Sequence, residues 1–448
     1  MLKNKIITTI IFLAGLFFLS CNTTEPDNKP ANFEFAAEDA SCTEAWIKLE
    51  ADNIKAAQVF REDSLIYSVN TNSIDTVLYD EGLLPNQSYK YKLTIQHPLA
   101  NGNNSAVNKE LTLQTMDTTS HNFTWQTFTF GQHSSSVLYD VAIINENNIW
   151  AVGEIYMNDS LGNPDPHAYN AVHWDGVKWE LKRIMFYVDQ DQPNNGTMSS
   201  ECKSTFLFND NTLAISSNVQ TYILYPDGKS KIIKMGFAWK DRFTINKIWG
   251  TSSSDLYVVG NGGNIAHYDG SPLANGWTKI ESGTELDFLD IYGATDSKTN
   301  EQQILAVCTR NYPLGKAIFQ LEGNIATQIT STPIQWELFS CWFVPNRHYY
   351  VIGSGIYEKS SLSDSVWRNE ALDITHYGTS RIRGNAINDF FVVGAYGEIL
   401  HYNGFNWKSF LPELGSLNGS YGSVDIKGNL VVITGFDAVT AKITIGIR

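Results

Sequence analysis

The stretch Lys247-Ile-Trp-Gly-Thr-Ser-Ser-Ser-Asp-Leu-Tyr-Val-Val-Gly-Asn-Gly-Gly-Asn-Ile-Ala-His-Tyr-Asp-Gly270 decides the fold. Ile248-Trp249 is apolar, and Ser253-Ser254-Asp255 is a turn. Leu256–Val259 is β-branched and aromatic, Asn261-Gly262-Gly263 is a second turn, and Ile265–Tyr268 is a third strand. Asp269-Gly270, followed after a short break by Trp277, predicts a hairpin into a fourth strand. A type I′ turn there would need positive φ at both central residues.

Variants of this unit run through the chain from about residue 123. Gly260 marks the end of Val258-Val259, and equivalent marks stand at Gly153, Ser216, Cys308, Gly353, Gly394 and Gly435. Their spacings are 63, 44, 48, 45, 41 and 41 residues, a propeller-like period with one enlarged member. Turns precede the second strands at Asn147-Asn148, Asn209-Asp210, Ser254-Asp255, Asn346-Arg347, Asn388-Asp389 and Lys427-Gly428. Fourth strands begin near Trp179, Trp277, Trp367 and Trp407. The last repeat runs out after three strands, while an orphan Trp125-Gln-Thr-Phe-Thr-Phe130 precedes the first complete unit. A ring of four-stranded blades closes by borrowing such a strand, which removes its free edges. The expectation is therefore an all-β chain with a seven-bladed propeller at 122–448, rather than six or eight blades. Val259-Gly260-Asn-Gly-Gly263-Asn-Ile265 and Val393-Gly394-Ala-Tyr-Gly397-Glu-Ile399 resemble the repeats of bacterial propellers typified by photosystem II assembly factors. That resemblance implies a fold, not an activity.

Residues 31–117 carry strand signals at the spacing of a small sandwich. Leu83-Leu-Pro85-Asn-Gln-Ser-Tyr89 resembles a segment of fibronectin type III domains whose tyrosine hydroxyl bonds back to the backbone. Trp46 matches the tryptophan that those domains bury, and the resemblance implies a spacer. Upstream, Lys3 and Lys5 precede the apolar run Ile6–Phe18 and then Leu19-Ser20-Cys21. The run is shorter than the roughly 20 residues of a spanning helix. It resembles a bacterial lipoprotein signal peptide over residues 1–21, which implies lipidation at Cys21, a polar tether at 22–30 and an envelope location, with Asn22 pointing to the outer membrane.

A chain of 448 residues exceeds one ordinary core. Its net charge of -15 disfavours nucleic acid and anionic lipid as partners, leaving the lipid as the only membrane contact. Cys42, Cys202, Cys308 and Cys341 have no metal-ligand spacing and read as free thiols, with Cys308–Cys341 the pair to check.

Loops joining second to third strands and loops joining blades open on one face. Two insertions fall there, Glu154–Asn170 and Met185–Cys202, carrying Tyr156, Asp159, Asp165, His167, Tyr187, Asp189, Asp191 and Glu201. Blade junctions add Trp239 and Arg242, and Asp373 to Tyr377. Aromatic and acidic side chains together suit a glycan or a protein ligand. Asp189 and Asp191 invite a loop calcium, but Pro193 and Gly196 break the EF-hand spacing, so no cofactor is expected. His173, His267 and His401 sit on third strands of different blades and read as residues that bond within a blade. The leading expectation is a monomeric, lipid-anchored envelope binding protein. A carbohydrate-active hydrolase or lyase using carboxylates on the insertion face, and an assembly factor for an envelope protein, are the alternatives.

Overall fold

The computed structural model describes residues 33–99, 103–188, 193–235, 243–271, 276–310, 315–370, 374–375 and 377–448. The signal-like segment, Cys21 and the tether lie outside them. The chain divides into two compact units, one spanning Glu44–Thr115 with the residues up to Ala40, the other Met116–Arg448 with Ser41–Thr43.

The first unit holds β1 (Phe33–Ala40), β2 (Glu44–Asp52), β3 (Ala56–Arg61), β4 (Ser64–Val69), β5 (Ser73–Glu81), β6 (Ser88–Pro98) and β7 (Asn104–Gln114). They form two antiparallel sheets, ordered β1-β2-β5 and β4-β3-β6-β7. Alternate residues Ala45, Ile47 and Leu49 of one sheet meet Val59, Leu93 and Ile95 of the other in a shared core. Tyr89 behaves as its motif implies, since its hydroxyl accepts the Leu84 N–H at 2.8 Å. Trp46 is buried as expected, though outside the core shared by the two sheets. It stands on the opposite face of β2 from Ile47 and lies 5.6 Å from the ring of Tyr79.

The second unit contains seven four-stranded antiparallel sheets. The first comprises Val137–Asn145, Asn148–Ile155, Tyr169–Trp174 and Trp179–Lys182. The first strands of the remaining blades are Ser204–Leu207, Ile245–Ser252, Asp287–Thr295, Leu338–Val344, Thr379–Ala386 and Gly419–Lys427. Each first strand packs on those of its neighbouring blades, so these strands line the axis. The seventh sheet is completed by β8 (Thr124–Phe130), which pairs with Thr440–Ile447 and places Trp125 opposite Gly446 and Phe128 opposite Ile443. Ring closure by a borrowed strand is thus present.

The repeated glycine has a steric cause. A Cβ on Gly153, Gly260 or Gly353 would lie within 2.0 Å of the carbonyl oxygen of Val137, Thr244 or Glu337 respectively, at the start of the inner strand. The hairpin expected at Asp269-Gly270 is present, with Tyr268 paired to Trp277, but its turn type is corrected. Only the glycine takes positive φ, at 71°, so the turn is not type I′. The acidic residue serves a different purpose: Asp269 Oδ1 accepts the N–H of Ser271, as Asp175 Oδ1 accepts those of Val177 and Lys178. These are side-chain-capped turns. Cys42, Cys202, Cys308 and Cys341 are buried free thiols, and Cys308 and Cys341 sit in different inter-blade clusters.

Candidate functional site

Six blades carry a register irregularity near the start of the inner strand, just after Leu138, Ile245, Phe288, Leu338, Thr379 and Tyr421. A bulge of this kind re-aims the side chains that follow it. Asp140, Lys247, Asp290, Ser340, Arg381 and Ser423 follow, and all are buried. Ser204 takes the corresponding place in the second blade without a bulge.

These residues repeat over three blades. Asp140 Oδ2 accepts Ser204 Oγ at 3.0 Å and the Thr205 N–H at 2.9 Å, and Lys247 Nζ stands 2.5 Å from it. Ser204 Oγ in turn accepts the Ile248 N–H at 3.1 Å. Three blades on, Asp290 accepts Ser340 Oγ and the Cys341 N–H, Ser340 Oγ accepts the Ile382 N–H, and Arg381 Nη1 lies 2.6 Å from Asp290. Arg383 adds two bonds to Asp290 at 2.8 and 3.0 Å, and Ser423 Oγ closes the ring onto Asp140 at 2.7 Å.

Burial alone would raise both aspartates, but Lys247 and Arg381 hold Asp140 below the ordinary carboxylate range, and Arg381 and Arg383 do the same for Asp290. Burial wins at Lys247, which is pushed down to about 8 despite Asp140.

Beyond this ring, toward the hairpins joining first and second strands, the axis widens into a cavity of about 460 Å³. Its lining includes the aromatic side chains Phe206, Trp249, Tyr292 and Trp342 and the charged ones Asp140, Lys247, Arg383 and Asp425. Asp425 accepts the N–H groups of Ile143 at 2.8 Å and Ile426 at 3.0 Å. Burial pushes its carboxyl up to about 6. This cavity opens on the face opposite the insertions, where sequence reasoning sought no site. The available signal was one charged residue inside the apolar inner strand of several blades, as in Tyr139-Asp140-Val141 and Asn246-Lys247-Ile248.

On the insertion face, the Met185–Tyr187 and Thr197–Ser199 strands pair into a hairpin. Asn170 ties the two insertions together: its amide donates to the carbonyls of Ile184 and Ser200, and its Oδ1 accepts the Ile184 N–H. Arg183 reaches Asp165 at 2.5 Å and the His167 carbonyl at 2.6 Å, so these two are brought together. The His167 N–H that the Asp165 carboxylate accepts, and Arg183 after it, hold that carboxyl below its usual range. Asp159 is spent on its loop, accepting the N–H groups of Leu161 and Asn163.

Tyr156 lies elsewhere, beside Glu154, Tyr139 and Glu201. A hydrogen bond to Glu154, with burial second, pushes its phenol up to about 12. Tyr187 faces the second blade, where its backbone bonds twice with Gln220 and Lys234 Nζ sits 4.2 Å from its ring. Asp189, Asp191, Trp239, Arg242, Asp373 and His376 lie outside the described residues, and with them the calcium loop. Among the described residues no group of three ligating side chains could hold a metal. His173, His267 and His401 each reach a partner in their own blade, Asn148, Asp255 and Asp389, at 2.9, 2.7 and 2.9 Å. The within-blade expectation is corrected for two of them: His267 also reaches Asn324 of the next blade at 3.1 Å, and His401 reaches His121, before β8, at 2.8 Å.

No protein-family model matches the chain, and no curated protein matches it. Among solved structures, YCF48 bound to a D1 peptide is 14% identical, with a TM-score of 0.52 over 74% of this chain and 99% of that one. The fold is that of a β-propeller. YCF48 from Cyanidioschyzon merolae (11% identity, TM-score 0.48, 72% of this chain and 98% of that one) and the propeller of Doa1 (9%, 0.46, 71% and 96%) score lower. At such identities the likeness extends to the propeller fold and no further.

Proposed function

We propose that the propeller is a platform for a protein ligand, held at the cell envelope by a lipid on Cys21, with a fibronectin type III-like spacer before it. The observation that carries this reading is the hairpin of the first blade. Met185, Val188 and Met198 are 40%, 54% and 49% exposed on it. Asn170 fixes this hairpin to the blade, so the apolar side chains are presented on an ordered support. Exposed apolar groups on a fixed scaffold suit a protein surface. A peptide-bound propeller, YCF48 with its D1 peptide, makes a peptide segment the first ligand to test.

Photo-crosslinking from position 197, the exposed neighbour of Met198 on the same hairpin strand, of the soluble protein (residues 22–448) in its own envelope fraction tests the reading. Adducts to one partner should form and vanish in the combined variant Met185→Ser, Val188→Ser, Met198→Ser, with melting unchanged, because exposed substitutions usually alter stability by less than about 0.5 kcal/mol. Adducts that persist in the variant would move the contact off this hairpin.

Anchoring has its own test. Cys21→Ala should shift the protein from the membrane fraction to the soluble one, or leave an unprocessed precursor. Unchanged partition and unchanged mass would remove the lipid from the reading.

A further inference from the structure

The axial cavity lies on the face opposite the hairpin proposed to capture a protein, and its chemistry is specific. Asp140 and Lys247 cancel in charge, and Asp290 lies between Arg381 and Arg383. The one positive charge in excess among these buried groups is matched by Asp425, which lines the same cavity, while Lys427 on the same lining is exposed to solvent and donates to the Ile144 carbonyl at 2.8 Å. A charged guest would unbalance a network that already sums to zero, in a place where desolvation makes imbalance expensive.

Hydrogen-bonding capacity narrows the guest further. Asp140 is saturated by Ser204, Thr205, Lys247 and Ser423. Asp425 accepts only two backbone N–H groups, one on each oxygen, and forms no ion pair among the described residues. A carboxylate has about four lone-pair sites, so Asp425, on the cavity lining, retains acceptor capacity for a donor. On the same lining, Phe206 and Tyr292 are only partly buried, while Trp249 and Trp342 are buried. A neutral molecule with hydroxyls on its edge and an apolar C–H face meets all three conditions: no net charge, donors for Asp425, and a flat face for aromatic rings.

We propose that the axial cavity binds a neutral saccharide unit, with Asp425 accepting hydroxyl hydrogen bonds and Phe206 and Tyr292 forming the wall against which the ring rests. The cavity's volume of about 460 Å³ falls within the usual range for small-ligand sites.

Ligand-observed NMR and calorimetry on the soluble protein (residues 22–448) test this. The neutral probes are glucose, galactose, mannose, N-acetylglucosamine, maltose and cellobiose, and the charged ones are glucuronate and glucosamine. At least one neutral probe should bind saturably and more tightly than its charged counterpart. Asp425→Ala and Phe206→Ala should each weaken it about tenfold or more, the effect of losing a hydrogen bond to a charged group or a stacking ring. The hairpin variant with three serines should bind it as the parent does, which separates this site from the protein-binding reading. Should Asp425→Ala fail to fold, the isosteric Asp425→Asn decides, and it must also weaken binding. Absence of saturable binding by every neutral probe, preference for a charged probe, or parental affinity in a folded Asp425 variant would each overturn the assignment.

Discussion

Deleting residues 122–130 is expected to abolish the cooperative melt of the propeller, because these residues supply the last strand of the last blade. β8 pairs with Thr440–Ile447 along its whole length. Trp125 rests against the position of Gly446, where a Cβ would come within 2.5 Å of its ring, and lies 4.8 Å from Phe410. Phe128 and Phe130 cross to the first blade, each 6.1 Å from Trp179. The strand therefore joins the seventh blade to the first, and its loss opens the ring and exposes two edges.

The approach to β8 is also fastened. His121 Nδ1 lies 2.8 Å from His401 Nδ1, and Arg448 grips the same Asp389 that binds His401. Truncating one large core aromatic costs about 3–5 kcal/mol. Trp125→Ala is half-buried and should cost about 3 kcal/mol, and Trp125→Phe should recover most of it. Denaturant unfolding followed by near-UV circular dichroism measures both. A parental midpoint in the deletion would show that the ring closes some other way.

The borrowed strand was legible because an orphan Trp-x-x-Phe-x-Phe run has no partner in sequence order. The glycine marks were legible because one steric demand recurs, an inner-strand carbonyl where a Cβ would go. What sequence could not show follows from geometry that shifts by one residue. A bulge moves Asp140, Lys247 and Asp290 to the axis, whereas strict alternation from the chain leaves their side undetermined. They read as ordinary polar residues in short strands. Asp269-Gly270 misled for a related reason: aspartate before glycine also caps a longer turn with its own side chain. The first half of β7 leaves little pattern in sequence because Asn104 to Glu110 is mostly exposed, and its pairing with β6 is carried by backbone bonds. On the insertion face, Asp159 and Asp165 were rightly placed in long loops, but composition cannot distinguish a carboxylate offered to a ligand from one that builds its own turn.

Asp290→Ala should be the most damaging single substitution on the axis. The side chain is fully buried and is held between Arg381 and Arg383, with Ser340 and the Cys341 N–H completing its bonds. Assembling such a cluster gains little net stability, since desolvation offsets most of the attraction. Removing one partner is different, because it strands uncompensated charge. Here two guanidinium groups lose their shared counter-ion, and the expected cost is about 3–5 kcal/mol. Asp290→Asn keeps an acceptor for Ser340 and Cys341 but not the charge, so it should fall between the parent and alanine.

Acid should reproduce part of this effect. The two arginines hold the Asp290 carboxyl below its unfolded value, so the stability it contributes is complete above the ordinary carboxylate range. It is lost as pH falls through the folded value, when the unfolded state takes up the proton first. The parent should therefore lose stability in acid more steeply than Asp290→Asn, and their melting curves should converge at low pH. Parallel curves across the acid range would mean that the charge of Asp290, rather than its hydrogen bonds, does not stabilise the ring.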